Sequence, residues 1–249
     1  MSYHLYKFQS LRFNAPVVLG SVFRSNQCFV QIKNKWEGII NDCCVNKCSD
    51  EITNTKCIKG NGFVKLTDDE NIKYINCVGR GINKYFEVYT ENDFEEPYDC
   101  VDYSLFYFEI KVKIEGEKFS CISIDLRNDN KEAISLRPLY GVVENEKREI
   151  FKLDDDFSWK DEDIFGCGLV YPPTEKDKKL PYMFYTKNGE QIGKAILLKE
   201  NFDSYAPFVH LRCCSVEANF GNNLEIKPFC YDITKHFVIK EFYEDSDVD

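Results

Sequence analysis

The chain has 249 residues, 43% hydrophobic and 15% aromatic, with 32 basic against 42 acidic residues and a formal net charge of −10 at pH 7. That apolar content supports one substantial core or two small ones and excludes a disordered chain. The acidic balance excludes long-range attraction to nucleic-acid phosphates or anionic lipid as a driving force and makes a basic partner electrostatically easier.

In chain order, Met1 to Asn34 mixes aromatic and basic residues around the short run Pro16-Val17-Val18-Leu19 and reads as an extension packed on the domain that follows. It holds no continuous apolar core of signal-peptide type, the sequence has no Asn-x-Ser/Thr acceptor, and no apolar run approaches membrane-spanning length. The twelve cysteines are therefore expected to be reduced thiols of a cytoplasmic or nuclear protein, with secretion open if a signal peptide has been removed. Ile39 to Lys84, broken by Gly60, Gly62, Gly79 and Gly81, predicts short strands joined by turns. Cys43, Cys44, Cys48 and Cys57 crowd this stretch, but no Cys-x-x-Cys pair opens a zinc site. The cluster reads as buried or surface thiols ahead of zinc, and no metal ligand or cofactor is assigned.

Phe106, Phe108, Ile110, Val112 and Ile114 alternate with Tyr107, Glu109, Lys111 and Lys113, which predicts a strand with the first row in the core and the second toward solvent. Ile122, Ile124 and Leu126 repeat the pattern after Glu115-Gly116-Glu117, so a hairpin is expected. Asn128 to Ser135 then reads as a polar loop and Leu139 to Val143 as a strand. Strands are predicted over Ile164–Tyr171, Tyr182–Thr186, Pro207–Leu211 and Val216–Phe220, with Pro172 to Lys179 a long charged loop. Asp232 is expected to cap a short helix presenting Ile233, Phe237, Val238 and Phe242 on one face. Many short strands without an internal repeat favour two packed antiparallel sheets.

Several motifs follow one another in order: Phe165-Gly166-Cys167-Gly168, Thr186-Lys187-Asn188-Gly189, Ile192-Gly193-Lys194-Ala195, Ser204-Tyr205-Ala206-Pro207, Val216-Glu217-Ala218-Asn219-Phe220-Gly221 and Pro228-Phe229-Cys230-Tyr231-Asp232-Ile233. With Tyr107-Phe108-Glu109-Ile110-Lys111 upstream, this series resembles a SPRY domain, and within that family the group of RanBPM and its relatives. The resemblance implies an all-β fold, an antiparallel β-sandwich of SPRY type (concanavalin-like, two sheets) with short flanking helices. It divides the chain into an extension at 1–34, the domain at 35–233, and a short C-terminal helix with an acidic tail at 234–249.

The resemblance implies a non-catalytic interaction module, expected as a monomer, that binds a protein or peptide through its loops as an adaptor or scaffold. Ubiquitin-ligase assembly is one context, and a secreted nematode SPRY effector is an alternative. The loop matching the family's peptide contact is Arg127 to Pro138, which with Tyr140 places Arg127 and Arg137 at the candidate site. The second family contact falls on His210, Leu211, Arg212 and Cys213, where Arg212-Cys213 departs from the Pro-Gly or Trp-Gly of the family pattern. An aromatic ring loses little rotamer entropy on contact, and guanidinium groups pair with acidic side chains, so these residue types suit recognition.

No constellation for catalysis emerges. His4, His210 and His236 form no metal-binding pattern, and there is no Gly-x-Ser-x-Gly elbow or phosphate-binding loop. The alternative from another class is a thiol-dependent enzyme using Cys213 or Cys214 beside His210, but strand alternation sends neighbouring side chains to opposite faces.

Overall fold

Period-two alternation becomes sixteen strands in the computed structural model, which describes residues 27–46, 56–116, 120–174, 179–239 and 242–243. One sheet has the order β14 (Glu190–Leu197), β13 (Tyr182–Lys187), β12 (Ile164–Tyr171), β7 (Tyr103–Ile114), β16 (Cys214–Asn219), β4 (Asn71–Ile75) and β3 (Phe63–Leu66). Strand β1 (Gln27–Phe29) runs parallel to β7 at Tyr103–Leu105, before β16 joins β7 from Glu109 onward. The second sheet has the order β11 (Ile150–Lys152), β10 (Val142–Glu144), β9 (Ala133–Arg137), β8 (Cys121–Asn128), β15 (Ser204–Arg212), β5 (Phe86–Thr90) and β2 (Trp36–Ile40). A short β6 (Phe94–Glu95) extends the β5 edge of β15. Apart from β1, every strand pairing is antiparallel, so the expected two-sheet antiparallel sandwich is the fold.

Aromatic residues fill the space between the sheets. Phe94 stacks on Phe106 at 5.1 Å, and Trp36 meets Phe220 edge to face at the same separation. Burying one such side chain is worth about 1.5–3 kcal/mol, and the aliphatic residues packed with them, among them Ile110, Ile124 and Leu136, add comparable amounts. Tyr185 on β13 crosses the gap, its hydroxyl donating to the carbonyl of Ile134 at 3.0 Å. That bond satisfies a fully buried polar group and fixes the sliding register of one sheet on the other.

The predicted hairpin turn is present: Asn188 and Gly189 adopt φ of 51° and 87° between β13 and β14, the left-handed pair that a two-residue turn needs. Gly166 and Gly168 on β12 have a different cause. A Cβ at Gly166 would stand 1.9 Å from the Tyr107 hydroxyl, and one at Gly168 would stand 2.3 Å from the Phe184 ring. The two rings lie across the strand because the glycines leave them room.

Four expectations need correction. First, β7 and β8 are not a hairpin; they belong to different sheets and face each other across the core. An apolar row is buried equally well by a strand opposite it as by one beside it, so alternation does not distinguish the two. Second, the loop expected over Asn128 to Ser135 is confined to residues 129–132, because β8 runs to Asn128 and β9 begins at Ala133, pairing with β8 from Arg127↔Ala133. Third, Leu139 and Tyr140 belong to a 3-10 turn, Pro138–Tyr140, closed by Gly141 in the left-handed conformation, and the strand starts at Val142. Fourth, the helix after Asp232 is a single 3-10 turn, Ile233–Lys235; Asp232 caps it through Thr234 N at 3.1 Å, but Phe237 is exposed.

The row of β7 expected to face solvent is also partly covered. Tyr107 and Glu109 are buried because β1 and residues 228–239 and 242–243 pack over the outer face of the first sheet, forming a second apolar cluster with Phe29, Phe184, Ile233 and Val238. Residues 1–26, most of the predicted extension, lie outside the described residues, as do residues 175–178 within the long charged loop and the acidic tail at 244–249. Among the described residues no helix is long and apolar enough to cross a membrane.

Candidate functional site

On the second sheet, Ile122, Ile124 and Leu126 of β8 and Val209 and Leu211 of β15 point into the core. Alternation therefore turns Cys121, Ser123, Asp125 and Arg127 of β8, and Phe208, His210 and Arg212 of β15, to the outer face. Register aligns them in rows: Arg212 with Cys121, His210 with Ser123 and Glu87, Phe208 with Asp125 and Tyr89. Arg127 stacks its guanidinium 4.1 Å over the Phe208 ring, and Arg212 does the same over Tyr85. Arg137 at the end of β9 pairs with Glu144 at 2.9 Å. Three of the chain's seven arginines thus occupy this face. Stacking on an aromatic ring holds the planar groups of Arg127 and Arg212 in place on the face.

The tyrosines complete a patch at one end of the face. Burial and then the Cys121 thiol raise the pKa of the Tyr85 hydroxyl, Arg212 opposes them and Tyr140 adds to them, so these groups lie within one another's fields. Arg137 also acts on Cys121. Tyr85 is 45% exposed and Tyr140 66% exposed, large rings presented to solvent beside guanidinium groups.

Beneath the patch lies a charged pair. Asp125 is fully buried and accepts hydrogen bonds from Ser123 Oγ and His210 Nδ1, both at 2.6 Å; His210 Nε2 is 3.4 Å from Glu87. Burial pulls the His210 pKa down, but the Asp125 hydrogen bond and the charges of Asp125 and Glu87 outweigh it, and the pKa is raised above 6.5. A raised folded-state pKa means that the stabilisation is fully present below pH 6.5 and is lost as pH rises through the folded-state value. Asp125→Asn is expected to cost on the order of 1 kcal/mol more at pH 6 than at pH 9, a discounted figure because the imidazole is partly exposed. Urea unfolding of both proteins at the two pH values measures this difference; an equal cost at both would show that the pair carries no net charge-dependent stability.

Of the seven residues predicted for partner contact, five lie on or beside this face: Arg127, Arg137, Tyr140, His210 and Arg212. Leu211 and Cys213 need correction, since both are buried and offer a partner no side-chain surface. Leu211 occupies the inward phase of β15. Cys213 is the single residue between β15 and β16, where the chain passes from the second sheet to the first, and it has φ of 55°. Glycine adopts that conformation freely and cysteine does not, so this corner is a strained position for its residue.

No protein-family model matches the sequence, and no curated protein matches it. Among solved structures the chain is similar to a human SPRY domain, at 17% identity and a TM-score of 0.45, over 65% of this chain and 97% of that one. It is similar to the PSpry domain of TRIM65 at 8% identity and a TM-score of 0.37, over 66% of this chain and 87% of that one. A lectin II from Ulex europaeus is similar at 8% identity and a TM-score of 0.36, over 64% and 91% of the two chains.

Tyr85, Glu87, Asp125 and Phe208 were not singled out from sequence. Glu87 lies in the row of His210, and Phe208 in the row of Asp125, relations that only strand register reveals. The thiol alternative gains nothing from the geometry: Cys213 and Cys214 are buried, and burial raises both pKa values, Cys214 to about 12, the reverse of what activates a nucleophile. Two grooves, of about 510 Å³ and 550 Å³, lie elsewhere, lined by none of the seven predicted residues. Of the cysteine cluster, Cys43, Cys44 and Cys57 come together in space, while Cys48 lies outside the described residues.

Proposed function

We propose that the protein is a non-catalytic recognition module that binds a polypeptide segment across the outer face of the second sheet and its rim, as an adaptor or scaffold. The observation that carries this reading is the patch of Tyr85, Tyr140, Arg137 and Arg212, two exposed rings beside two half-buried guanidinium groups at the ends of β9 and β15, next to the His210–Asp125 pair. Exposed aromatic and arginine side chains are the types that dominate binding energy at interfaces. The net charge of −10 favours a basic partner at long range. Screening within about 8 Å at physiological salt leaves the choice of contacts to the local guanidinium donors, which suit carboxylates and backbone carbonyls of the bound segment. The RanBPM-like adaptor role and a ubiquitin-ligase context rest on the motif series alone.

The test begins with a peptide selected from a random display library on immobilised wild-type protein. Tyr140→Ala and Arg212→Glu are each expected to weaken its binding by about 2 kcal/mol, roughly thirtyfold, with Glu190→Ala on β14 as an unaffected control. If the patch variants bind as wild type does, the site assignment is wrong. Failure to select any peptide would count against the module itself.

A further inference from the structure

We propose that Cys43, Cys44 and Cys57 form a thiolate site for a zinc ion, independent of the binding face. Their three sulfur atoms lie within 4.8 Å of one another, and Cys43 Sγ is 3.8 Å from Cys44 Sγ. With zinc–sulfur bonds of about 2.3 Å, the edge of a tetrahedral thiolate site is about 3.8 Å, so one edge already has the required length. Cys43 and Cys57 are buried and Cys44 is half-buried.

The surrounding loop is built to hold these positions. Cys43 lies just after β2 and Cys57 before β3, in a connection whose described residues from 41 to 61 include no strand or helix. Asn61 Nδ2 donates to the Cys43 carbonyl at 2.8 Å, and Gly60 N donates to the Cys57 carbonyl at 2.8 Å. Gly60 is held in turn by Val78 N at 2.8 Å, and a Cβ at Gly81 would stand 1.8 Å from the Gly60 carbonyl oxygen. A shared ion would fasten the described ends of this connection to each other. On binding, the three thiols release their protons to solvent, and the resulting site carries one net negative charge. Lys84, whose Nζ reaches the Asp42 carbonyl at 3.4 Å, sits one residue from the cluster and offsets that charge.

The spacing Cys-Cys-x12-Cys conceals such a site because it has no Cys-x-x-Cys pair. The experiment uses the full chain, reduced and chelator-treated, titrated anaerobically with cobalt(II). One equivalent is expected to saturate a sulfur-to-cobalt charge-transfer band with tetrahedral ligand-field bands, and one equivalent of zinc should abolish them. Losing an outer-shell partner costs about 10–100-fold in metal affinity, so Cys57→Ser and Cys44→Ser should each weaken zinc binding at least tenfold against a chromophoric chelator. Cys230→Ser, exposed and outside the cluster, should leave it unchanged. Far-UV circular dichroism reports whether each variant folds; if Cys57→Ser does not, half-buried Cys44→Ser carries the test. Absence of the charge-transfer band in wild type, or a folded Cys44→Ser that binds as wild type does, overturns the site.

Discussion

Glu109→Ala is expected to destabilise the protein by about 3 kcal/mol and to release the C-terminal segment before the sandwich unfolds. Glu109 lies on β7, buried, and its two carboxylate oxygens accept hydrogen bonds from Cys230 N at 2.8 Å, Tyr231 N at 2.9 Å and the Tyr107 hydroxyl at 2.9 Å. Burial raises its pKa, and the two backbone donors and the tyrosine counteract that shift. Removing the side chain leaves two N–H groups without their acceptor, at about 1–3 kcal/mol each where they stay dry. Glu109→Gln keeps the shape and one acceptor oxygen but turns an amide N–H₂ toward a donor, so an intermediate loss is expected. Hydrogen exchange distinguishes this account from general destabilisation: amides of Cys230 and Tyr231 should exchange faster in Glu109→Ala, while those of β8 and β15 change little. Uniform acceleration across both sheets would show that Glu109 does not hold the segment specifically.

The same segment is expected to loosen in acid. His236 is buried between Tyr182, whose hydroxyl is 2.9 Å from Nε2, and Tyr231, whose hydroxyl is 2.9 Å from Nδ1, with its ring stacked 4.0 Å from Phe184. Burial lowers its pKa from 6.5 to about 4. A depressed folded-state pKa gives stability that is present above pH 6.5 and is lost as pH falls through about 4. At 1.36 kcal/mol per unit, this amounts to about 3 kcal/mol. His236→Gln still offers one donor and one acceptor but does not titrate, so the wild type should lose about that much more stability between pH 7 and pH 4 than the variant. Urea unfolding across this range measures the difference. Parallel profiles would mean that the imidazole stays solvated enough to charge freely.

Particular residues show how far the sequence carries. Asn188-Gly189 specified its turn because only a left-handed pair closes a two-residue hairpin, and β12 and β16 were legible as apolar runs between turns. The partnership of β7 was not legible, because Phe106 and Ile122 are buried whether their strands lie side by side or face to face. The outward row of β7 misled for a related reason: Tyr107 and Glu109 look like solvent-facing positions until residues 228–239 fold back over them. At the site, Tyr140 and Arg212 were legible by residue type and loop position. Leu211 and Cys213 were included as a contiguous block, although alternation assigns Leu211 to the opposite face from His210. Asp125 joins the site through strand register and Tyr85 through its contact with Arg212, long-range relations that local pattern does not encode.

The central claim is that the outer face of the second sheet and its rim grip another polypeptide. Backbone hydrogen exchange of the wild-type protein, with and without the selected peptide, tests it directly. The account predicts added protection at Tyr85, Leu139 to Gly141 and the end of β15 near Arg212. Protection confined to the first sheet, or none at saturating peptide, would contradict it.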